Sequence, residues 1–263
     1  NDFQEGWNAY EKKDFKTARE LWLPLAEQGE PKAQFFLGFM YDMGFGVPED
    51  NKKALKWYQL AAEQGDFRAQ LFTGYIYDFG NGVPEDDQKA FKWYRLASEK
   101  GFKQVKINIY NLAKKNFPEA LKMLVNDATN GEVKAQYFLA MMHDVGQGVS
   151  QDAKEAVKWY QLAAKQGNSA AKKAIYSLAK KNSPDALKIL INDAENGVID
   201  AQSKLSVMYQ LGLGVPQDNH ESAKWFRFVA EHEFSKVKNN IISFTKKYFR
   251  KKNIPQTLKA LSN

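Results

Sequence analysis

The chain copies itself, and that self-similarity constrains its fold more than any other feature. GVPED stands at Gly46–Asp50 and again at Gly82–Asp86, followed by GVSQD at Gly148–Asp152 and GVPQD at Gly214–Asp218. WYQLAAEQG (Trp57–Gly65) returns as WYRLASEKG (Trp93–Gly101), WYQLAAKQG (Trp159–Gly167) and WFRFVAEHE (Trp225–Glu233). A shorter unit is interleaved: IYNLAKKNFPEALKMLVNDATNG (Ile109–Gly131) is echoed by IYSLAKKNSPDALKILINDAENG (Ile175–Gly197). One phase runs through both kinds. Gly29, Gly65, Gly101, Gly131, Gly167, Gly197 and then Glu233 are spaced by 36 or 30 residues, and a short-plus-long pair of 66 residues is itself duplicated.

Each unit reads as two helices. Apolar residues recur at three and four spacing, as in Ala54, Trp57, Tyr58, Ala61 and Ala62. Asp50, Asp86, Asp152 and Asp218 stand where an N-cap is needed. Pro118 and Pro184 fall in a first helical turn, where a missing N–H costs little. The phase glycines sit at helix ends, where the left-handed conformation is useful. Trp57, Trp93, Trp159 and Trp225 follow the repeat phase and are read as core. Pro24 is expected to interrupt and bend the second helix of the first unit. No stretch alternates with period two, so no sheet is expected.

A lone helix pair cannot bury its apolar face, so neighbouring pairs must stack. The expected fold is therefore all-α, a right-handed α–α superhelix (solenoid) of about eight antiparallel helix pairs. It is read as a single domain over 1–263 with no internal boundary: a short first unit 1–29, alternating 36- and 30-residue units over 30–233, and a basic capping pair over 234–263. In that last pair IPQTLKAL (Ile254–Leu261) echoes FPEALKML (Phe117–Leu124).

Ala33, Leu37, Gly38, Tyr41, Gly44, Gly46, Val47, Asp50, Ala54, Trp57, Tyr58, Ala61, Ala62 and Gly65 carry a pattern that closely resembles the Sel-1-like repeat family, relatives of the tetratricopeptide repeats. The 30-residue units lack the glycine loop. His143 stands where the pattern has Tyr, and Glu233 where it has Gly. The opening DFQEGWNAYEKKDFKTARELWLPLAEQG is similar to the first unit of exported bacterial members that follows a cleaved signal peptide. The resemblance therefore implies a periplasmic or secreted protein, with the cytoplasm as the alternative.

The absence of Cys excludes disulfides, thiolate metal sites and a cysteine nucleophile. There is no H-E-x-x-H, P-loop or G-x-S-x-G motif. The three histidines (His143, His220, His232) are not spaced to share a metal. No metal, no small-molecule cofactor and no catalytic set is expected, and the chain is read as a monomer. Net charge is +7, and the tail from Glu233 onward holds eight Lys/Arg against that one acid, which accounts for all of it. Lys246, Lys247, Arg250, Lys251 and Lys252 form a candidate anion-binding surface for nucleic acid or lipid; the plainer reading is a solvated cap.

By resemblance to tetratricopeptide geometry, the first helix of each pair lines a concave face. The groove-facing positions give an apolar stripe of Phe35, Phe39, Leu71, Tyr75, Ile107, Tyr137 and Met141. Asp42, Asp78 and Asp144 edge it on one side, and Lys32, Arg68 and Lys134 on the other. An apolar stripe with a charged rim is the anatomy of a protein-binding groove. The alternative is that Phe35 and Tyr137 are ordinary packing residues. The expected function is a non-catalytic scaffold or adaptor holding a protein or peptide. Two alternatives come from relatives: an immunity protein neutralising a secreted toxin or effector, and the β-lactam hydrolysis linked to cysteine-rich members. The missing cysteines weigh against the second.

Overall fold

A computed structural model describes the backbone of residues 2–251 and the side chains of residues 2–245. The described residues form fourteen α-helices and one 3-10 turn, with no strand among them. The helices are α1 (Asp2–Glu11), α2 (Phe15–Glu27), α3 (Pro31–Met43), α4 (Asn51–Glu63), α5 (Phe67–Phe79), α6 (Asp87–Glu99), α7 (Lys106–Lys114), α8 (Pro118–Thr129), α9 (Val133–Val145), α10 (Ala153–Lys165), α11 (Ser169–Lys180), α12 (Pro184–Glu195), α13 (Ile199–Leu211) and α14 (Asn219–Lys251). The chain divides into two compact units, although the repeat phase shows no boundary. The first is the chain up to Phe138 with Gly146–Ser150; the second is Leu139–Val145 with the chain from Gln151 onward.

In the first unit α1 packs on α2, α3 on α4, α5 on α6 and α7 on α8, and α2 to α7 also touch their successors in order. In the second, α10 to α14 pack successively in the same way. The expected solenoid plan thus holds within each unit. All four expected N-caps form: Asp50 accepts from Lys53 N at 3.0 Å, Asp86 from Lys89 N at 2.9 Å, Asp152 from Lys154 N at 2.9 Å and Asp218 from His220 N at 2.8 Å. Gly46 and Gly82 illustrate why the loops need glycine. Both have positive φ, 68° and 75°, and an added Cβ would lie 2.7 Å from Phe15 Cβ and Asn51 Cβ respectively. Each loop is therefore pressed against the start of the previous pair's second helix.

Two small columns fix the interior. A glutamine one turn into the first helix of a long unit is buried and donates back to the end of the preceding helix. Gln34, Gln70, Gln136 and Gln202 reach the carbonyls of Ala26, Ala62, Ala128 and Ala194 at 3.0, 3.1, 3.1 and 3.0 Å. One turn further on, Gly38 and Gly74 receive the rings of Tyr58 and Tyr94 against bare backbone.

The tryptophan column is core in part: Trp93 and Trp225 are buried and Trp57 and Trp159 half-buried, while the adjacent Tyr58, Tyr94 and Tyr160 are buried. The rings that face the glycines are the tyrosines. Two expectations are corrected. Pro24 does not interrupt α2, which runs through it to Glu27. Burial of Trp22 and Ala26 on either side holds the turn that the proline leaves one hydrogen bond short. Finally, α14 continues through Glu233 instead of ending there. Without a glycine nothing favours the left-handed stop that ends the equivalent helices. The described residues therefore give seven pairs' worth of helices, and Ile254–Leu261 lies outside them. The apolar residues Phe234, Val237 and Ile241 are exposed along α14.

The tyrosine columns give a direct test. A Cβ on Gly74 would stand 2.6 Å from Tyr94 Cδ1. Gly74→Ala should lower stability by about 1–3 kcal/mol in urea unfolding, the usual range for overpacking. The caps give a second. Backbone amides of the first turn hold the carboxyls of Asp50, Asp86 and Asp152 below the usual range. Their stabilisation is complete above the unfolded pKa of about 3.9 and is lost as pH falls through the lower folded values. Burial raises the carboxyl of Asp42, which works in the opposite direction. The melting temperature should fall on acidification below about pH 4. Asp86→Asn, which keeps the cap without the charge, should fall less steeply.

Candidate functional site

The expected groove resolves into residues of two kinds. Phe35 is 6% exposed and packs its ring against Phe36, Tyr58 and Phe72, at centroid distances of 5.2, 5.7 and 5.8 Å. It is a core residue, as the packing alternative has it, because Tyr58 of α4 and Phe72 of α5 close over it. Arg68 lies with its guanidinium 4.4 Å from the Phe35 ring centre and is paired to Asp66 at 2.6 Å. Phe39, Leu71, Tyr137 and Met141 are half-buried. Lys134 is exposed, and so is Lys32. Tyr75 and Ile107 are each 44% exposed.

The acidic rim is structural where it is clearest. Asp78 is 4% exposed, so it is no rim residue. It accepts from the Tyr94 hydroxyl at 3.0 Å and from the Lys115 ammonium at 2.7 Å. Asp42 accepts from the Tyr58 hydroxyl at 3.1 Å. The same bond recurs with the partners exchanged in the short units: Tyr110 to Asp127 at 2.8 Å and Tyr176 to Asp193 at 2.5 Å. Burial and the adjacent carboxylate push the hydroxyls of Tyr58 and Tyr94 above their usual range, so they donate and do not ionise. In the last long unit both partners are replaced together, by Gln210 and Phe226. Asp144 is half-buried and has Lys181 Nζ at 3.7 Å.

Asp78, Glu85 and Asp87 bring three carboxylates together, a grouping of the type that holds a cation. Lys115 reaches from the next pair into their midst, 2.6 Å from Glu85 and 3.5 Å from Asp87. Burial opposes its charge, but the bonds to Asp78 and Glu85 outweigh that and raise its pKa. The cluster is thus an internal ion-pair network tying α7 to α5 and α6. Removing Asp78 would strand a tyrosine hydroxyl and part of a lysine's charge. Asp78→Ala should cost roughly 2 kcal/mol, less than for a fully buried pair because Lys115 is partly exposed. Asp78→Asn, which still accepts from Tyr94, should cost less in the same urea titration.

One exposed aromatic pair was not singled out by the column reading. Phe79, 56% exposed, lies one turn after Tyr75 on α5 with ring centres 4.4 Å apart. Its signal was available: the residue before each loop glycine is large and apolar in every long unit, as Met43, Phe79, Val145 and Leu211. The anion-binding candidates Lys246, Lys247, Arg250, Lys251 and Lys252 lie outside the described side chains. No helix among the described residues is long and apolar enough to cross a membrane.

Stacked helix pairs whose polar clusters are satisfied internally define a helical-repeat protein, a class that works through the surface its pairs display. The chain belongs to the Sel1 repeat family: that repeat matches residues 3–30, 31–66, 68–102, 133–168 and 199–232. The two 30-residue units fall mostly between the matches. The chain is 28% identical to c5321, a protective antigen of uropathogenic Escherichia coli with an SLR fold, with a TM-score of 0.54. That match covers 95% of this chain but 56% of the antigen's chain, so this chain spans little more than half the antigen's length. It is 30% identical to a Sel1 repeat protein from Oxalobacter formigenes, covering 87% of this chain and 96% of that one, with a TM-score of 0.48. Proteins of this repeat family are generally non-catalytic scaffolds that bind other proteins.

Proposed function

We propose that this protein is a non-catalytic scaffold that holds a protein partner on the face formed by the first helices of its pairs. The observation that carries this reading is the Tyr75–Phe79 pair. These two rings, 4.4 Å apart and tilted by 37°, stand 44% and 56% exposed on α5, where burying them inside the chain would be the stable alternative. Ile107, equally exposed on the first helix of the next pair, extends the apolar surface. Rigid aromatic side chains lose little entropy on binding and are over-represented among interface hot spots. The charged groups nearby are engaged with one another: Asp78 with Lys115, and Arg68 with Asp66. They fix the helices beneath the patch rather than forming an acid–base pair.

The test begins with the partner that co-purifies with the full chain, identified by mass spectrometry. Tyr75→Ala combined with Phe79→Ala should raise its Kd at least tenfold by titration calorimetry, in line with about 2 kcal/mol for a hot-spot pair. The melting temperature should barely change. Undiminished affinity in the double variant would remove this face from the function.

A further inference from the structure

The 66-residue duplication allows the two copies of one site to be compared within a single chain. In the second unit, α10, α11 and α12 line an open pocket of about 420 Å3. Lys165, Lys172 and Lys188 line it together with Asp193, Gln161 and Asn192. Asp193 is its one carboxylate, and it is already shared between the Tyr176 hydroxyl at 2.5 Å and Lys172 at 3.2 Å. Among the described residues, Lys165 and Lys188 have no acidic partner within ion-pair distance.

The positions 66 residues earlier have a different balance. There Glu99 stands in place of Lys165, Arg95 in place of Gln161 and Glu132 in place of Val198, while Lys106, Lys122 and Asp127 match Lys172, Lys188 and Asp193. Lys106 is clamped between Asp127 at 2.9 Å and Glu132 at 2.5 Å, with its side chain 19% exposed. Lys172, with one acid only, is 40% exposed. Counting these six positions, the first copy is neutral and the second carries two excess positive charges. The tyrosine–aspartate bond is the same in both, so the packing has been kept while two acids have gone: the counterpart of Glu132, which pairs with Lys106, and that of Glu99, which pairs with Arg95 at 3.6 Å.

We propose that the second-unit cavity is a docking pocket for glutamate or aspartate side chains on an acidic segment of a protein partner. This rests on the reading that the partner is a protein, but not on the Tyr75–Phe79 face. An open pocket of this size admits single side chains. Its cations are single lysine ammoniums; no arginine fork lines it to grip a phosphate in two places. Ile175 and Ile189 in the wall suit the methylenes of glutamate.

The probe is a fluorescently labelled hexaglutamate peptide, with hexaglutamine as control, titrated by anisotropy against the full chain at low salt. Lys165→Glu with Val198→Glu rebuilds the acids of the first copy and should weaken hexaglutamate binding at least tenfold. Lys165→Gln, the milder change, should weaken it about threefold, as expected for loss of one exposed charge pair. Lys122→Glu in the first copy should leave it unchanged. Glu99→Lys with Glu132→Val should create a second binding event. An equal loss from Lys122→Glu would mean the chain's overall charge is being read, and would overturn the proposal. So would loss of binding on changing Lys246, Lys247, Arg250, Lys251 and Lys252 to Gln, because the tail would then be the site. Displacement of the peptide by inorganic phosphate at lower concentration than by glutarate would overturn the choice of carboxylate. Because the probe is synthetic, these outcomes are independent of whether the Tyr75–Phe79 face binds its own partner.

Discussion

A buried tyrosine laid flat on helix backbone governs the geometry of the repeats. Gly38 and Gly74 give the rings of Tyr58 and Tyr94 bare backbone to pack on. The hydroxyl, out of reach of bulk water, needs an acceptor, which Asp42 and Asp78 provide. An unmet buried hydroxyl costs more than a met one gains, so ring and carboxylate are kept or lost together; the glycine is the looser member, because Ala140 occupies its column in the unit of Asp144 and the buried Tyr160. The short units reach the same end with the partners on opposite helices. Where both partners are replaced, at Gln210 and Phe226, the phenylalanine is 65% exposed and its own helix, α14, runs on past the usual stopping point.

The same economy governs the charged cluster of the first unit. Asp78, Glu85 and Asp87 look on paper like ligands for a cation, yet an ammonium from the neighbouring pair sits among them. These three carboxylates are thus satisfied from the neighbouring pair, while other pairs such as Lys158–Glu155 and Lys204–Asp200 close within one helix. Function is then left to positions that packing does not consume. Two remain conspicuous: a close aromatic pair facing outward in the first unit, and in the second a pocket lined by three lysines, of which Lys172 lacks the second acid that its counterpart Lys106 keeps.

Much of the fold was legible in the sequence because periodicity records burial. The caps at Asp50, Asp86, Asp152 and Asp218 could be read directly, since a cap is a local hydrogen bond between residues two or three apart. The tryptophan column is buried at Trp93 and Trp225 but only half-buried at Trp57 and Trp159, because recurrence shows that a position matters and not how far from solvent it lies. The groove reading separated less well. Phe35 and Tyr75 occupy neighbouring columns of the same helical face, yet one is closed over by α4 and Phe72 while the other projects outward. The difference arises from the second helix of each pair and from the next pair, neither of which is visible in a helix's own periodicity.

The sequence by itself determined the helical repeat, its two lengths, its caps and its glycine turns, because these depend on local backbone chemistry and on a period that survives copying. Only the tertiary structure decided which charges are free. Asp78 and Asp144 are the same letter in the same column, but Lys115 lies 2.7 Å from the first and Lys181 3.7 Å from the second. Ion pairing falls off over ångströms between residues tens of positions apart, and no reading along one chain direction fixes such distances.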